Sequence, residues 1–173
     1  FSLVFERLSF VEINYKKDKS PVTEADRISE DIILYEISKI EPGVDLISEE
    51  KYFEEENKIK SDYFFLIDPI DGTREFIKKN GEFTINIALV ENNKPVVGII
   101  NAPAFNDIYF SYNNLKSYKL SNNNDAIEIR TRQHAKTEVM LHSRSIPSKK
   151  MQDIMNQYSI NQIKPCGSAL KFG

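Results

Sequence analysis

The stretch FLIDPIDGTREF, residues 65–76, joins an apolar run to two closely spaced aspartates and a Gly-Thr pair. The run starts within DYFFLIDPI (62–70), which has strand length and is apolar on both faces. We therefore predict a central strand that is covered on both sides and ended by Pro69. Asp68 and Asp71 are the first and last residues of a four-residue turn, whose end Cα atoms lie within roughly 7 Å. Both side chains could then reach one ion or two neighbouring ions.

The residue types in this turn favour a metal and a phosphate side by side. Two close carboxylates repel each other unless a proton or a cation neutralises them. Oxygen ligands without a His or Cys cluster favour a hard cation such as Mg²⁺. Gly72 and Thr73 lead into a short helix, predicted over about 74–79, whose first N–H groups suit an anion. The pattern indicates a phosphate-ester hydrolase; the alternative is that both aspartates are ordinary turn and cap residues.

A second candidate strand, VDLISEE (44–50), also ends in acidic residues. If it runs parallel to the first strand as its neighbour, Glu49 or Glu50 comes to the same edge of the sheet as the two aspartates. The alternative is a solvated charge run that continues into KYFEEE (51–56). The residue pattern alone leaves both interpretations open.

The rest of the chain predicts a mixture of helices and strands. Apolar residues at helical spacing indicate a helix from Glu24 to about Ile40, capped by Thr23 with Asp26 three residues later. Residues 82–112 read as successive strands of an antiparallel meander, and 122–132 as a hairpin or irregular excursion. Strand, helix and strand follow within 138–165, and we predict two domains, 1–136 and 137–173.

Composition limits the possible partners. The net charge of the 173 residues is −3 and no basic stripe is present, which argues against a nucleic-acid duplex. The single Cys166 excludes an internal disulfide framework and fits a reducing compartment. No window approaches the ~18 apolar residues of a membrane span. We expect a cytoplasmic protein, with peripheral attachment to an inner membrane left open, and its oligomeric state is also left open.

Four segments stand out along the chain: SPVTEAD (20–26), SEE (48–50), DPIDGTREFIKKNGEFTINIALV (68–90) and GSALKF (167–172). In this order and spacing they resemble the inositol monophosphatase family, and most closely its CysQ branch, the 3'(2'),5'-bisphosphate nucleotidases. The resemblance implies an α/β (α+β) layered sandwich of the inositol monophosphatase/fructose-1,6-bisphosphatase type. It also implies that the second domain is truncated, because the family supplies a further metal-binding Asp downstream of the last segment.

The resemblance assigns a metal site to this chain. In the family, two or three Mg²⁺ ions are held by carboxylates and one backbone carbonyl, which correspond here to Glu49, Asp68, Ile70 and Asp71. The resemblance thus selects the first acid of the SEE segment. Mg²⁺ is the implied cofactor.

The resemblance also assigns catalytic and substrate-binding residues. Thr73 and Asp26 correspond to the pair that orients and deprotonates the attacking water, with Glu49 also close to it. Asp71, Gly72 and Thr73 lie on the substrate side. Ser168 and Lys171 correspond to residues that contact the nucleotide phosphate.

The implied substrate is a small phosphate ester. The activity is hydrolysis of the 3'-phosphate of adenosine 3',5'-bisphosphate (PAP) to AMP and phosphate, in sulfur assimilation or PAP turnover, with inhibition by Li⁺. One departure is Ile146, where nucleotidases commonly carry a histidine; we interpret nearby His142 as a strand residue. The alternatives are an inositol monophosphatase, or an inactive metal- or nucleotide-binding fragment that lacks the downstream Asp.

Overall fold

A seven-stranded mixed sheet dominates the computed structural model, which describes residues 13–15, 21–52, 61–112, 116–122, 125–131, 139–144 and 148–173. In spatial order the strands are β3 (Asp45–Ser48), β4 (Tyr63–Asp71), β5 (Thr84–Glu91), β6 (Lys94–Ala102), β7 (Asp107–Tyr112), β8 (Lys116–Ser121) and β9 (Ile127–Ile129). β3 pairs with β4 in parallel, and every later pair is antiparallel. The structure confirms the predicted meander, and of the two interpretations left open for residues 44–50 it shows the parallel strand.

Smaller elements flank this sheet. They are the antiparallel pair β1 (Ile13–Tyr15) and β2 (Pro21–Thr23), the helices α1 (Glu24–Ile40), α2 (Glu49–Tyr52), α3 (Thr73–Ile77) and α4 (Ser148–Tyr158), the parallel pair β10 (Val139–His142) and β11 (Gln162–Pro165), and 3₁₀ turns at Pro103–Phe105 and Ala169–Phe172. The boundary between the predicted domains 1–136 and 137–173 lies outside the described residues, so that division stays a prediction. No helix within the described ranges is long and apolar enough to cross a membrane.

Helix α1 covers one face of the sheet. Its Ile33 and Ile37 form a buried cluster with Ile67 of β4 and Ile85 of β5. The helix begins where predicted, because the carboxylate of Asp26 accepts hydrogen bonds from the backbone N–H and the hydroxyl of Thr23. Burial of these apolar side chains fixes the helix over β4, the strand that carries both aspartates, and over its neighbour β5.

The opposite face of β4 differs from the prediction that the strand is covered on both sides. Ile67 is 2% exposed, whereas its neighbour Leu66, which points the other way, is 49% exposed. A groove of about 1170 Å³ runs along this face and is lined partly by Leu66, Ala88 and Gly98. Among the described residues, only the face beneath α1 is closed. The prediction went too far because an apolar run indicates that a strand is hydrophobic but does not identify what covers it.

Candidate active site

Strand β4 ends in an irregular turn that carries the two aspartates. Asp68 pairs with Asn86 and Asp71 with Thr84, so β4 has one more residue than β5 over this interval. Such a bulge bends a strand and redirects its side chains. Pro69 therefore does not end the strand, which continues to Asp71. The carbonyl of Pro69 accepts a 3.0 Å hydrogen bond from the buried hydroxyl of Ser29, which ties the turn to α1.

Three carboxylates of this region interact electrostatically. Burial, together with the charges of Glu49 and Asp71, raises the pKa of Asp68 to about 8. Glu49 comes close because Ser48, just before it, lies opposite Ile67 in the parallel pair. One carboxylate oxygen of Asp68, Oδ1, is buried without a hydrogen-bond partner among the described residues. The turn therefore brings three carboxyl groups close enough together to favour a bound proton or cation.

The carboxylate and carbonyl oxygens of this region suit a hard cation, although they are not arranged as a complete metal-binding site. Within the described ranges, no three Asp, Glu, His or Cys side chains already stand in a metal-binding arrangement. Oδ2 of Asp71 accepts a 2.5 Å hydrogen bond from the N–H of Ala169. The carbonyl of Ile70 accepts from the hydroxyl of Thr73 at 3.3 Å. Carboxylate and carbonyl oxygens, with an unpartnered oxygen on Asp68, fit Mg²⁺ in their chemistry.

Thr73 and Asp26 meet beside this cluster. The hydroxyl of Thr73 lies 3.3 Å from Oδ1 of Asp26, while Oδ2 of Asp26 accepts from Thr23 at 2.7 Å (N–H) and 2.6 Å (hydroxyl). Asp26 is 1% exposed, and burial raises its pKa against the opposing effect of these hydrogen bonds. One carboxylate thus both caps α1 and contacts the first residue of α3.

Gly72 brings the C-terminal segment against the turn. Its φ is +90°, a conformation that side chains disfavour, and a Cβ at this position would lie 3.0 Å from Cβ of Ser168 and 3.2 Å from the carbonyl oxygen of Glu82. The hydroxyl of Ser168 accepts from the N–H of Leu170. Lys171 donates from Nζ to the carbonyl of Ser168. The structure thereby places Ser168 against Gly72 and directs the ammonium group of Lys171 to a backbone carbonyl of its own segment.

Comparison with known proteins identifies the family to which this sequence belongs. The model of the inositol monophosphatase family matches residues 2–171. The chain belongs to the inositol monophosphatase family. The 3'(2'),5'-bisphosphate nucleotidase CysQ of Buchnera aphidicola subsp. Acyrthosiphon pisum is 34% identical over 170 residues, which cover 98% of this chain and 63% of that protein.

Solved structures of this family share the fold. CysQ from Bacteroides thetaiotaomicron has a TM-score of 0.68 and 28% identity, covering 90% of this chain and 64% of that one. An IMPase from Thermotoga maritima has a TM-score of 0.70 and 29% identity, covering 96% and 62%. These neighbours confirm the predicted α/β layered sandwich and the resemblance to the CysQ branch. The chain spans a little under two thirds of the length of each of these three relatives.

Two acidic residues, Glu82 and Glu30, make contacts that the sequence did not reveal. Glu82 lies in the NGEFT segment and pairs with Arg144, which is 62 residues away. Glu30 is 2% exposed and accepts a 3.2 Å hydrogen bond from the N–H of Lys51, which holds α2 and so the position of Glu49. A charged residue at a buried helical position was the available signal for Glu30.

The remaining sequence predictions fall partly within the described chain. His142 ends strand β10, as predicted, and Nδ1 of its ring lies 2.9 Å from the carbonyl of Ser143. Cys166 is a free thiol whose pKa is raised by burial, and its N–H donates to the carbonyl of His142. Ile146 lies outside the described residues. The short helix begins at Thr73, one residue earlier than predicted.

Proposed function

We propose that this chain is the catalytic part of a Mg²⁺-dependent phosphomonoesterase that removes the 3'-phosphate of adenosine 3',5'-bisphosphate. The observation that carries the proposal is the position of the Asp26–Thr73 pair beside the acidic cluster of Glu49, Asp68 and Asp71. A relative named as a 3'(2'),5'-bisphosphate nucleotidase, 34% identical to this chain, supports the choice of substrate.

The acidic cluster would hold the metal. Glu49, Asp68 and Asp71 supply carboxylates, and Ile70 supplies a carbonyl, for the two or three Mg²⁺ ions that the family resemblance implies. When bound, Mg²⁺ supplies positive charge that neutralises the phosphate ester and makes water more acidic. The raised pKa of Asp68 is consistent with this role, because a cation would favour its ionised form.

Thr73 and Asp26 would manage the attacking water. The Thr73 hydroxyl lies 3.3 Å from Oδ1 of Asp26 and 3.3 Å from the carbonyl of Ile70; when its one proton is directed to Asp26, its lone pairs can accept a hydrogen bond from water and orient it. The proton that water loses can pass through this contact to Asp26. Burial raises the pKa of Asp26, which increases its affinity for that proton.

The turn and the C-terminal segment would hold the phosphate. Gly72 removes side-chain bulk where the backbone must approach the ligand, and Thr73 begins α3 next to it. Ser168 lies on the other side of Gly72. Lys171 would contribute its positive charge from the same segment, after its ammonium group exchanges the carbonyl of Ser168 for the nucleotide phosphate.

The experiment compares phosphate release from adenosine 3',5'-bisphosphate and from inositol 1-phosphate. Each substrate is assayed with Mg²⁺, without it, and with Mg²⁺ plus Li⁺. We expect nucleotide-selective, Mg²⁺-dependent release that Li⁺ inhibits. Asp71→Asn should lower the rate by about a hundredfold or more, the scale seen when one charge-stabilising group is lost.

The matched control is Asp153→Asn, which removes an exposed aspartate of α4 and should leave the rate unchanged. Faster release from inositol 1-phosphate would replace this proposal with inositol monophosphatase activity, which the similarity to the Thermotoga IMPase makes the second candidate. No release from either substrate, with Mg²⁺ still bound, would leave a binding protein without catalysis.

A further inference from the structure

An ion pair outside the proposed metal and water-orienting groups connects distant parts of the chain. Arg144 donates to both carboxylate oxygens of Glu82, from Nε to Oε2 at 2.8 Å and from a terminal nitrogen to Oε1 at 2.6 Å. Oε2 of Glu82 also accepts a 2.8 Å hydrogen bond from the N–H of Gly167. The carboxylate of Glu82 therefore joins the segment after β10 to the segment after β11.

Gly167 has no spare room in this position. A Cβ there would lie 2.7 Å from Cγ of Glu75 and 2.8 Å from the carbonyl oxygen of Glu82. Real Cβ atoms are not found at such distances, so the backbone of Gly167 is in close contact with residues 75 and 82. Two residues later, the N–H of Ala169 donates to Oδ2 of Asp71. The same short segment thus touches Glu82 at one end and the candidate metal ligand at the other.

We infer that Arg144 and Glu82 are positioning residues that set where the Ala169 N–H meets the Asp71 carboxylate. The two-point contact of a guanidinium with a carboxylate fixes direction as well as distance. Glu82 also fixes Gly167, and the backbone carries that constraint over two residues to Ala169. The consequence for metal binding rests on the proposed function, whereas the consequence for the Ala169 contact does not.

The positioning role differs from a purely stabilising one. The side chain of Arg144 is 39% exposed and that of Glu82 is 19% exposed. Ion pairs that are partly open to solvent contribute little to overall stability. Loss of this pair should therefore loosen the segment 166–172 and change the Asp71 site, while the midpoint of unfolding moves little.

The test uses Glu82→Gln and Arg144→Lys in the whole chain. A matched control pair is Glu128→Gln and Arg130→Lys, because Arg130 likewise binds Glu128 through its guanidinium, at 2.7 Å from Nε to Oε1. Amide hydrogen exchange of peptide 166–172 is followed by mass spectrometry without metal. The affinity for Mn²⁺ is measured separately by titration. The midpoint of urea unfolding is measured for every variant.

We expect amide exchange in 166–172 to become at least about tenfold faster in both test variants. The reason is that the N–H of Gly167 no longer bonds a Glu82 carboxylate held in place by Arg144. The affinity for Mn²⁺ should fall about tenfold, the lower range for residues that orient a metal ligand. The double variant should lose no more than either single variant, since the two residues act as one unit. The controls should match the wild type in both measurements.

Unchanged exchange in the test variants, or equal increases in the control pair, would overturn the inference. Equal Mn²⁺ affinity in the wild type and the test variants would overturn its consequence for the metal site. If the wild type itself binds no Mn²⁺, the proposed metal site is wrong, and the exchange rates still decide whether Arg144 and Glu82 position the segment.

Discussion

Asp68 is the residue at which the candidate site conflicts most with the stability of the metal-free fold. It lies in a strand, it is half-buried with Oδ1 enclosed, and both Glu49 and Asp71 act on it with like charge. A carboxyl group in such surroundings retains its proton to a higher pH than it does in water. The proposed Mg²⁺, bound next to Asp68, would remove this conflict because a cation favours the ionised carboxylate.

The metal-free protein should lose stability as the pH rises from about 4 to about 8. Folding raises the pKa of Asp68 from 3.8 to about 8, so in this interval the folded state holds a proton that the unfolded state has released. The free energy of unfolding therefore falls with increasing pH, and the full loss is present above the folded pKa. Urea unfolding in EDTA at a series of pH values measures this slope.

Asp68→Asn should flatten that pH profile, and Asp153→Asn should leave it unchanged. Addition of Mg²⁺ near pH 8 should restore stability to the wild type but much less to Asp68→Asn, because the variant has lost a proposed ligand. Parallel profiles for the wild type and Asp68→Asn would contradict the assignment of the raised pKa to this group.

At the scale of elements, a comparison of Gly72 with Gly43 separates the effect of backbone conformation from the effect of a crowded contact. Gly43 has nearly the same conformation, φ +86° against +90°, but a Cβ there would meet no atom within 4 Å. Gly43→Ala should cost about 1–2 kcal/mol of unfolding free energy, the cost of a side chain in the left-handed region. Gly72→Ala carries the same cost and also pushes against Ser168 at the start of the 3₁₀ turn.

We therefore expect Gly72→Ala to destabilise the protein more than Gly43→Ala and to accelerate amide exchange in 166–172, which Gly43→Ala should not do. Urea unfolding and hydrogen exchange of the two variants check this expectation. Equal destabilisation with unchanged exchange would mean that Ser168 can move away from the turn at no cost.

The elements that the sequence predicted well have local signals. Helix α1 has apolar residues at helical spacing and a cap formed by Thr23 and Asp26, so neighbouring residues are enough to define it. The meander of β5, β6 and β7 follows from apolar runs separated by turns. The bulge between Asp68 and Asp71 was missed, because Pro69 reads as a strand end when the pairing with β5 is unknown.

The candidate site was accessible from the sequence only in part. The spacing of Asp68 and Asp71 in the sequence predicted that the two carboxylates lie close together. The choice of Glu49 and the joint role of Thr73 and Asp26 came from the family resemblance. The contact of Glu82 with Arg144 spans 62 residues and has no periodic signal. Such a contact forms only when the folded chain brings distant segments together, and no local sequence pattern predicts it.

At the scale of the whole molecule, the two faces of β4 should respond differently to the same change. Ile67→Ala removes a side chain that is 2% exposed beneath α1 and should cost about 2–5 kcal/mol of unfolding free energy. Leu66→Ala removes a side chain that is 49% exposed in the groove and should cost about 1 kcal/mol or less. Urea unfolding in the absence of metal measures both variants.

Similar losses for Leu66→Ala and Ile67→Ala would show that the groove face is closed in solution, by self-association or by another contact. The concentration dependence of the Leu66→Ala unfolding curve distinguishes these cases, because association makes apparent stability depend on protein concentration.

The hydrogen bond from Ala169 to Asp71 joins residues that are 98 positions apart in the chain. A ribosome that adds about 5–20 residues per second needs about 5–20 s to make that interval. During this time β4 and the strands of the meander are already available to pair, whereas Asp71 has no Ala169 amide to bind. The order of synthesis therefore makes the acidic turn an early product and its contact with Ala169 a late one.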